Sequence, residues 1–254
     1  MLNTINTKLV NNQLVEIMQA CEKIIFSGKK KIISHKKDGS SVTNIDIEVD
    51  NYIYKELKNI NPNISIISEE RKYEVSDFKK NIYWLVDPID GTRDFIKDGE
   101  EYTVNIALIE AGNPTIGIIF HPPTKKIWIG EKNGLTVLDK YTNVKKITKK
   151  KTTWKTPKII SSRHTDAETL NYIKKLKTGK ILYSSSSIKF CFIAESIANL
   201  YFRLSKINKW DIAAGHAILE HAGGSVTDFD GNEILYGKKD FKNPSLILKN
   251  KNLL

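Results

Sequence analysis

WLVDPIDGTRDFI, residues 84–96, is the stretch on which the reading of this chain turns. An apolar run, Trp84-Leu85-Val86, delivers two carboxylates, Asp87 and Asp90, three residues apart. Pro88 stiffens the turn between them, so both can face one point, and the Ile89 carbonyl offers a third oxygen. Gly91 permits a tight turn, and its amide with that of Thr92 is suited to open a helix and receive phosphate oxygens. Taken alone, the segment would serve equally as a helix-capping turn in which both aspartates satisfy backbone amides.

Two further segments place acids behind apolar strands. Glu69 and Glu70 follow ISIIS (64–68), and Asp211 follows Trp210 at the start of the helical run IAAGHAILEHAGG. Singly, the two glutamates read as solvated loop charges and Asp211 as an N-cap. Together they point to a cation, because charge at the end of a buried strand is costly unless something compensates it. Mg²⁺ compensates it well: it takes carboxylate, carbonyl and water oxygens and commonly works beside substrate phosphates. Two ions bridged by Asp87 would polarise a phosphoryl group, and Thr92 Oγ with a nearby carboxylate would orient and deprotonate the attacking water.

Around these segments, apolar spacing predicts a helix over 9–27 that stops at Gly28 and a second over Asp46 to Leu57, with Ile47, Val49, Ile53, Tyr54 and Leu57 as core positions. Strands are expected at 64–68 and 82–87, the latter broken by Pro88. The run from Thr103 to Leu138 reads as an antiparallel meander punctuated by Gly-Asn-Pro, Pro-Pro-Thr and Lys-Asn-Gly turns. The Lys-rich segment 145–157 is the candidate boundary between an N-terminal α+β metal-binding half, 1–150, and a C-terminal α/β half, 151–254, that completes the substrate pocket. Beyond it, strands and helices alternate.

The composition, with 40% hydrophobic and 27% charged residues, is that of a globular chain. No apolar run approaches the ~18 residues needed to cross a bilayer, and the first residues carry no signal-peptide pattern. A cytoplasmic protein is expected, with at most weak peripheral contact at the inner face of the membrane. Cys21 and Cys191 are expected as buried, reduced thiols. The net charge of +11 invites a nucleic-acid reading, but the lysines are spread along the chain and arginine is confined to Arg71, Arg93, Arg163 and Arg203. A solvated basic surface comes first, a field that attracts anionic substrates second, and an RNA-binding module last; no nucleic-acid partner is expected. The sequence carries no marker of oligomeric state.

Four ordered segments, VTNID (42–46), ISEE (67–70), WLVDPIDGTRDFI (84–96) and WDIAAGHAILEHAGG (210–224), resemble the motifs of the inositol monophosphatase superfamily over essentially the whole chain. The resemblance implies an α+β fold, the layered αβαβα sandwich of the inositol monophosphatase and fructose-1,6-bisphosphatase type. It implies two or three Mg²⁺ ions held by Glu69, Asp87, the Ile89 carbonyl, Asp90 and Asp211. It also implies a water activated by Asp46 and Thr92, with Glu70 nearby, and inhibition by Li⁺.

Within the superfamily, ISSRHTDAE (160–168), SSSSIKFCFIAE (184–195), ANLYFRLSKINKWDIAAGHA (198–217) and YTVNIALIEAGNPTIGIIFHP (102–122) resemble the 3′(2′),5′-bisphosphate nucleotidases of the CysQ type. These remove the 3′-phosphate from adenosine 3′,5′-bisphosphate, a by-product of sulfate assimilation and sulfotransfer. The implied substrate contacts are Gly91, Thr92, His164, Ser186, Lys189, Arg203 and Asp211. Lys189 and Arg203 suit the second phosphate, and an arginine plane also stacks on a base. Each has a plainer reading: Lys189 on the solvent face of its helix, Arg203 snorkelling from its strand, His164 as an exposed loop imidazole. His216 and His221 read as packing or surface residues. Ser41, Ser185, Arg93-Asp94 and Leu204-Ser205-Lys206 depart from the subgroup pattern without touching an implied metal ligand. An inositol or other sugar-phosphate monophosphatase on the same scaffold is the alternative activity.

Overall fold

The computed structural model describes residues 7–141, 143–146, 156–176, 181–237, 242–243 and 245–250. Helix α1 (Thr7–Ile25) leads into a small hairpin, β1 (Ile33–His35) with β2 (Ser41–Thr43), and then into α2 (Asn44–Ile60). Thr43 caps α2, its side chain accepting from Ile45 N and Asp46 N, while Asp46 reaches back to the Thr43 amide in a capping box. Helix α2 therefore starts two residues ahead of the expected Asp46. Its inward face holds Ile45, Val49, Ile53 and Leu57, whereas Ile47 is 40% exposed and lies off the core.

The first sheet runs β3 (Ser65–Ser68), β4 (Ile82–Asp90), β5 (Thr103–Glu110), β6 (Asn113–His121), β7 (Lys126–Glu131), β8 (Gly134–Asp139) and β9 (Asn143–Lys146), neighbours in that order. The β3–β4 pair is parallel and the other described pairs are antiparallel; β5 to β8 form the expected meander, which β4 and β9 extend at either end. Helix α3 (Thr92–Ile96) follows β4. Both faces are covered, so the strands are apolar on both sides. Trp84, Val86, Ile106 and Ile118 pack with α1 and α2; Tyr83, Leu85, Ala107 and Ile119 belong to the core on the opposite side.

After β10 (Ile159–Ser161), α4 (Ala167–Lys175), β11 (Ile181–Tyr183), α5 (Ile188–Ala194), β12 (Leu200–Arg203) and β13 (Ile207–Asn208) comes α6 (Lys209–His221), then β14 (Ser225–Thr227), β15 (Lys242–Asn243) and β16 (Leu246–Lys249). The second sheet is ordered β11-β10-β12-β16-β14, parallel on one side of β12 and antiparallel on the other. Helices α5 and α6 lie between the sheets, sharing one apolar core with residues of both, and Ile173 of α4 packs with Ile159 and Phe202 on the outer side. The layers are thus αβαβα, as the resemblance implies. The expected boundary at 150/151 falls in 147–155, outside the described residues.

Two local departures matter. Strand β4 does not break at Pro88: it continues to Asp90 through a bulge, pairing Asp87 with Asn105 and Asp90 with Thr103. Proline, which lacks a donor for the ladder, is tolerated at such a point. Helix α6 is buried on all sides, which explains its unstriped sequence. It approaches β6 so closely that a Cβ at Gly117 would lie 2.3 Å from Ala214 O. Gly117→Ala must push the helix off the sheet, and the expected cost is about 1–3 kcal/mol of stability. This is read as a lower urea midpoint with an unchanged slope; an unshifted midpoint would show that the layers tolerate separation.

Candidate active site

The acids converge where β3, β4 and α6 meet. Alternation along β4 puts Asp87 on the face of Tyr83 and Leu85, toward α6. Carboxylate oxygens of Glu69, Asp87 and Asp211 lie within 4.8 Å of one another. Asp87 is 1% exposed, and neither of its carboxylate oxygens has a hydrogen-bond partner among the described residues. Burial pushes its pKa well above the carboxylate range, and the charges of Glu69, Asp90 and Asp211 push it further. Asp211 is raised in the same way, by burial and then by Asp90 and Glu69. Three carboxylates, Glu69, Asp90 and Asp211, around the orphaned oxygens of Asp87 fit a divalent cation, and these four side chains with the Ile89 carbonyl are the groups able to hold it.

The bulge carries Asp90 past Asp87, and Asp90 Oδ2 accepts from Ser187 Oγ at 2.7 Å. Ser187 Oγ also lies 2.9 Å from Asp211 O and from Asn105 Nδ2. This serine ties the aspartate of the first sheet to the opening turn of α6. Asp211 sits in that first turn rather than at its cap, which is Asn208. Gly91, with φ +95°, allows the turn after Asp90, because a Cβ there would meet Glu101 O at 2.7 Å.

Thr92 Oγ1 lies 2.9 Å from Ile89 O and 3.3 Å from Asp46 Oδ1. Asp46 is fully buried in the cap of α2, where burial raises its pKa and the Thr43 hydroxyl and amide work in the other direction. Glu69 and Glu70 are pinned to α2 by the next residue: Arg71 pairs with Asp50 at 2.7 Å and stacks on Tyr54, 3.9 Å from the ring centre. Ser68 Oγ donates to the same Asp50 at 2.5 Å. Lys36, from the hairpin loop, reaches both glutamates at 2.7 Å. Burial opposes its charge, yet Glu69 and Glu70 hold it above the usual lysine range. Glu70 itself is raised to about 7 by burial, assisted by Glu69.

A cleft of ≈ 360 Å³ opens onto these acids. Glu69, Asp87, Ile89, Asp90, Gly91 and Thr92 line its floor, while His164, Ser186, Lys189, Arg203 and Asp211 line the remainder. Asp46 stands behind Thr92, and Glu70 behind Lys36. Lys189 is not on a solvent face: it is 7% exposed, donates to Ser186 O and lies 5.6 Å from the centre of the Tyr201 ring. Burial first, and Arg203 second, lower its pKa to about 8 against the pull of Asp90. Arg203 turns to the Ser205 and Lys206 carbonyls, and His164 is exposed in the turn after β10. His216 and His221 stay outside the cleft, bonded to Tyr236 OH and Thr115 O. Cys21 and Cys191 are free and buried.

Sequence reasoning missed Ser187, Asn105 and Lys36. Ser187 is one of four consecutive serines, and Lys36 lies in a short basic cluster that reads as surface.

If this cluster binds a cation, the folded state gains about 2.7 kcal/mol at a hundredfold excess over Kd, or a rise of about 5–10 °C in thermal midpoint. Asp87→Asn should abolish most of that rise while being at least as stable as the parent in chelator, since it removes a buried, repelled charge. Equal Mg²⁺ stabilisation of both proteins would remove Asp87 from the site.

Residues 5–254 match the model of the inositol monophosphatase family. The chain is 38% identical over 240 residues to the 3′(2′),5′-bisphosphate nucleotidase CysQ of Buchnera aphidicola, covering 92% of this chain and 90% of that protein. It is 35% identical over 224 residues to the CysQ of Escherichia coli K12, covering 87% of this chain and 90% of that one. The crystal structure of CysQ from Bacteroides thetaiotaomicron superposes with a TM-score of 0.80 at 27% identity, over 99% of both chains. The lithium-soaked structure of staphylococcal inositol monophosphatase-1 shares the fold, with a TM-score of 0.78 at 22% identity over 97% of this chain and 90% of that one. On sequence, fold and the ordered acids together, the chain belongs to the inositol monophosphatase family.

Proposed function

We propose that the chain is a Mg²⁺-dependent 3′(2′),5′-bisphosphate nucleotidase that converts adenosine 3′,5′-bisphosphate to AMP and phosphate. The observation that carries this reading is the buried Lys189 with Arg203 in the cleft that ends on the acidic cluster. A simple monophosphate has no use for a second cationic end, whereas a bisphosphate places one phosphate at each. The names of the CysQ relatives support the same substrate. Clearing this by-product of sulfate assimilation and sulfotransfer is a cytoplasmic task, and two buried unpaired thiols are compatible with a reducing compartment. Among the described residues, no helix is long and apolar enough to cross a membrane.

Bound at Glu69, Asp87, Ile89 O, Asp90 and Asp211, Mg²⁺ would neutralise the carboxylates and draw charge from the phosphoryl oxygens. The amides of Gly91 and Thr92, at the opening of α3 on the cleft floor, would receive phosphate oxygens. Thr92 Oγ1 takes a proton from the attacking water as it passes its own to Asp46, whose raised pKa suits it to receive one. The new P–O bond forms as the ester bond breaks; the leaving 3′-oxygen takes a proton from solvent water, and Asp46 returns the one it received to solvent. We also assign Glu70 a supporting role beside this machinery, held there by its ion pair with Lys36. We assign residues 1–150 to metal binding and 151–254 to completing the pocket, with Asp211 joining the two.

Phosphate release should favour adenosine 3′,5′-bisphosphate over inositol 1-phosphate when both are assayed with Mg²⁺; the reverse preference overturns the nucleotide reading and keeps the phosphatase chemistry. Lys189→Ala removes a charge-assisted contact worth about 1.5–3 kcal/mol, so kcat/KM on the bisphosphate should fall about 10- to 100-fold. Turnover of p-nitrophenyl phosphate should hold; equal losses on both would show that Lys189 serves the fold. Because a lysine is cationic below its pKa, KM for the bisphosphate should climb above pH of about 8, and a flat profile would exclude Lys189 as the anchor. Li⁺ should inhibit at roughly tens of millimolar, as expected for weak monovalent binding to an oxygen site; full activity there would speak against lithium entering that site.

A further inference from the structure

The serine loop 184–187 forms one wall of the cleft, and its backbone is held in a conformation that serine seldom adopts. Ser186 has φ +52°, in the left-handed region that an L-residue enters only at a cost. The side-chain oxygens of Ser185 and Ser186 are buried with no hydrogen-bond partner among the described residues. The Ser186 carbonyl accepts from Lys189. A loop in this state needs fixing from outside.

Its ends are fixed by elements already described. Ser184 N donates to Ser161 O at 3.0 Å, and Ser187 Oγ ties the other end to Asp90 and Asp211 O. The middle is held by Glu101, which lies between α3 and β5. Glu101 Oε2 accepts the Ser185 amide at 2.9 Å. The same carboxylate pairs with Arg163 in a two-pronged bridge, Nε at 2.6 Å and Nη2 at 2.8 Å. Burial works to raise the Glu101 pKa, but Arg163 and the Ser185 amide outweigh it and keep the group ionised. Glu101 is itself fastened to the catalytic turn: its amide donates to Asp94 Oδ2 at 3.0 Å, and its carbonyl backs onto Gly91.

We propose that Glu101 is a positioning residue for the substrate: braced by Arg163, its carboxylate fixes the serine loop relative to the phosphate-receiving turn 90–92 and so sets where Ser186 and Lys189 meet the part of the substrate that is not transferred. The proposal rests on the cleft being the substrate site. Stability alone does not account for the arrangement. Arg163 is 54% exposed, and an ion pair held this far into solvent adds little to stability. The bridge nonetheless spans 62 residues of sequence to meet a backbone amide in the cleft wall.

The experiment measures kcat and KM of the full chain and of Glu101→Ala, Glu101→Gln and Arg163→Ala on adenosine 3′,5′-bisphosphate and p-nitrophenyl phosphate, with thermal midpoints alongside. Loss of the anchor for a buried amide predicts a rise of about tenfold in KM for the bisphosphate in Glu101→Ala. Turnover of the aryl phosphate should barely move, and the thermal midpoint should fall by about 2–10 °C, as one unsatisfied buried amide predicts, with the two-state transition kept. Glu101→Gln keeps an acceptor for Ser185 N and should recover most of the affinity. Arg163→Ala should fall between, and combined with Glu101→Ala it should add nothing, because both act through one carboxylate. Equal losses on the two esters, additive losses in the double variant, or a collapsed midpoint in Glu101→Ala would each overturn the proposal. A wild type that prefers inositol 1-phosphate would overturn the nucleotidase reading instead, and the Glu101 claim is then decided by the same ratio with inositol 1-phosphate as the larger substrate.

Discussion

Like charges gathered in a buried place repel one another, and here that repulsion is built in rather than relieved. Asp87 has lost its water and found no hydrogen-bond donor among the described residues, while Glu69 and Asp211 stand within 4.8 Å. Isolated buried carboxylates cost several kcal/mol unless paired or protonated. Lys36 relieves only the glutamate side, by pairing with Glu69 and Glu70. A hard divalent cation would remove the remaining deficit at Asp87, and the proposed chemistry follows from a phosphate set against it.

The fold exists to hold this unfavourable cluster in place. A parallel pair, β3 and β4, brings Glu69 beside Asp87; the bulge at Pro88 and Ile89 then carries Asp90 and the Ile89 carbonyl, which accepts from Thr92 Oγ1, to the floor of the same cleft. Helix α6 closes the site by burying its whole circumference between two sheets, so Asp211 enters with little freedom to retreat. Polar struts finish the work: Ser187 joins Asp90 to the turn of α6, Asp50 and Arg71 fasten the glutamates to α2, and the Thr43 cap seats Asp46 behind Thr92. The two ends of the cleft consequently differ in character, acidic toward the sheet and cationic at Lys189 and Arg203.

Much of this was legible in the sequence where the information is local. The acids behind apolar runs, the meander, the alternation after residue 158 and the layered fold could all be read from residue types and spacing or from motif resemblance. Pro88 reads as the end of a strand because proline removes a ladder donor, but a bulge accommodates that loss without ending the strand. Ile47 does not share the inward stripe of Ile45, Val49, Ile53 and Leu57: two residues from both Ile45 and Val49, it lies about 200° around the helix and faces outward. Lys36 and Glu101 were invisible for another reason. Their partners lie 33 to 84 residues away, and a lysine beside another lysine, or a glutamate in a loop, carries no local mark of the group it will meet. Nor does one serine among four announce that it joins two layers.

The central claim is that the Asp87 oxygens are ligands in waiting. The most direct test is an anomalous difference map from crystals equilibrated with Mn²⁺, a hard cation of the same ligand preference as Mg²⁺. The account predicts a peak bounded by Asp87, Asp90, Asp211, Glu69 and Ile89 O. A map without density there, or with manganese bound only elsewhere on the surface, would contradict it.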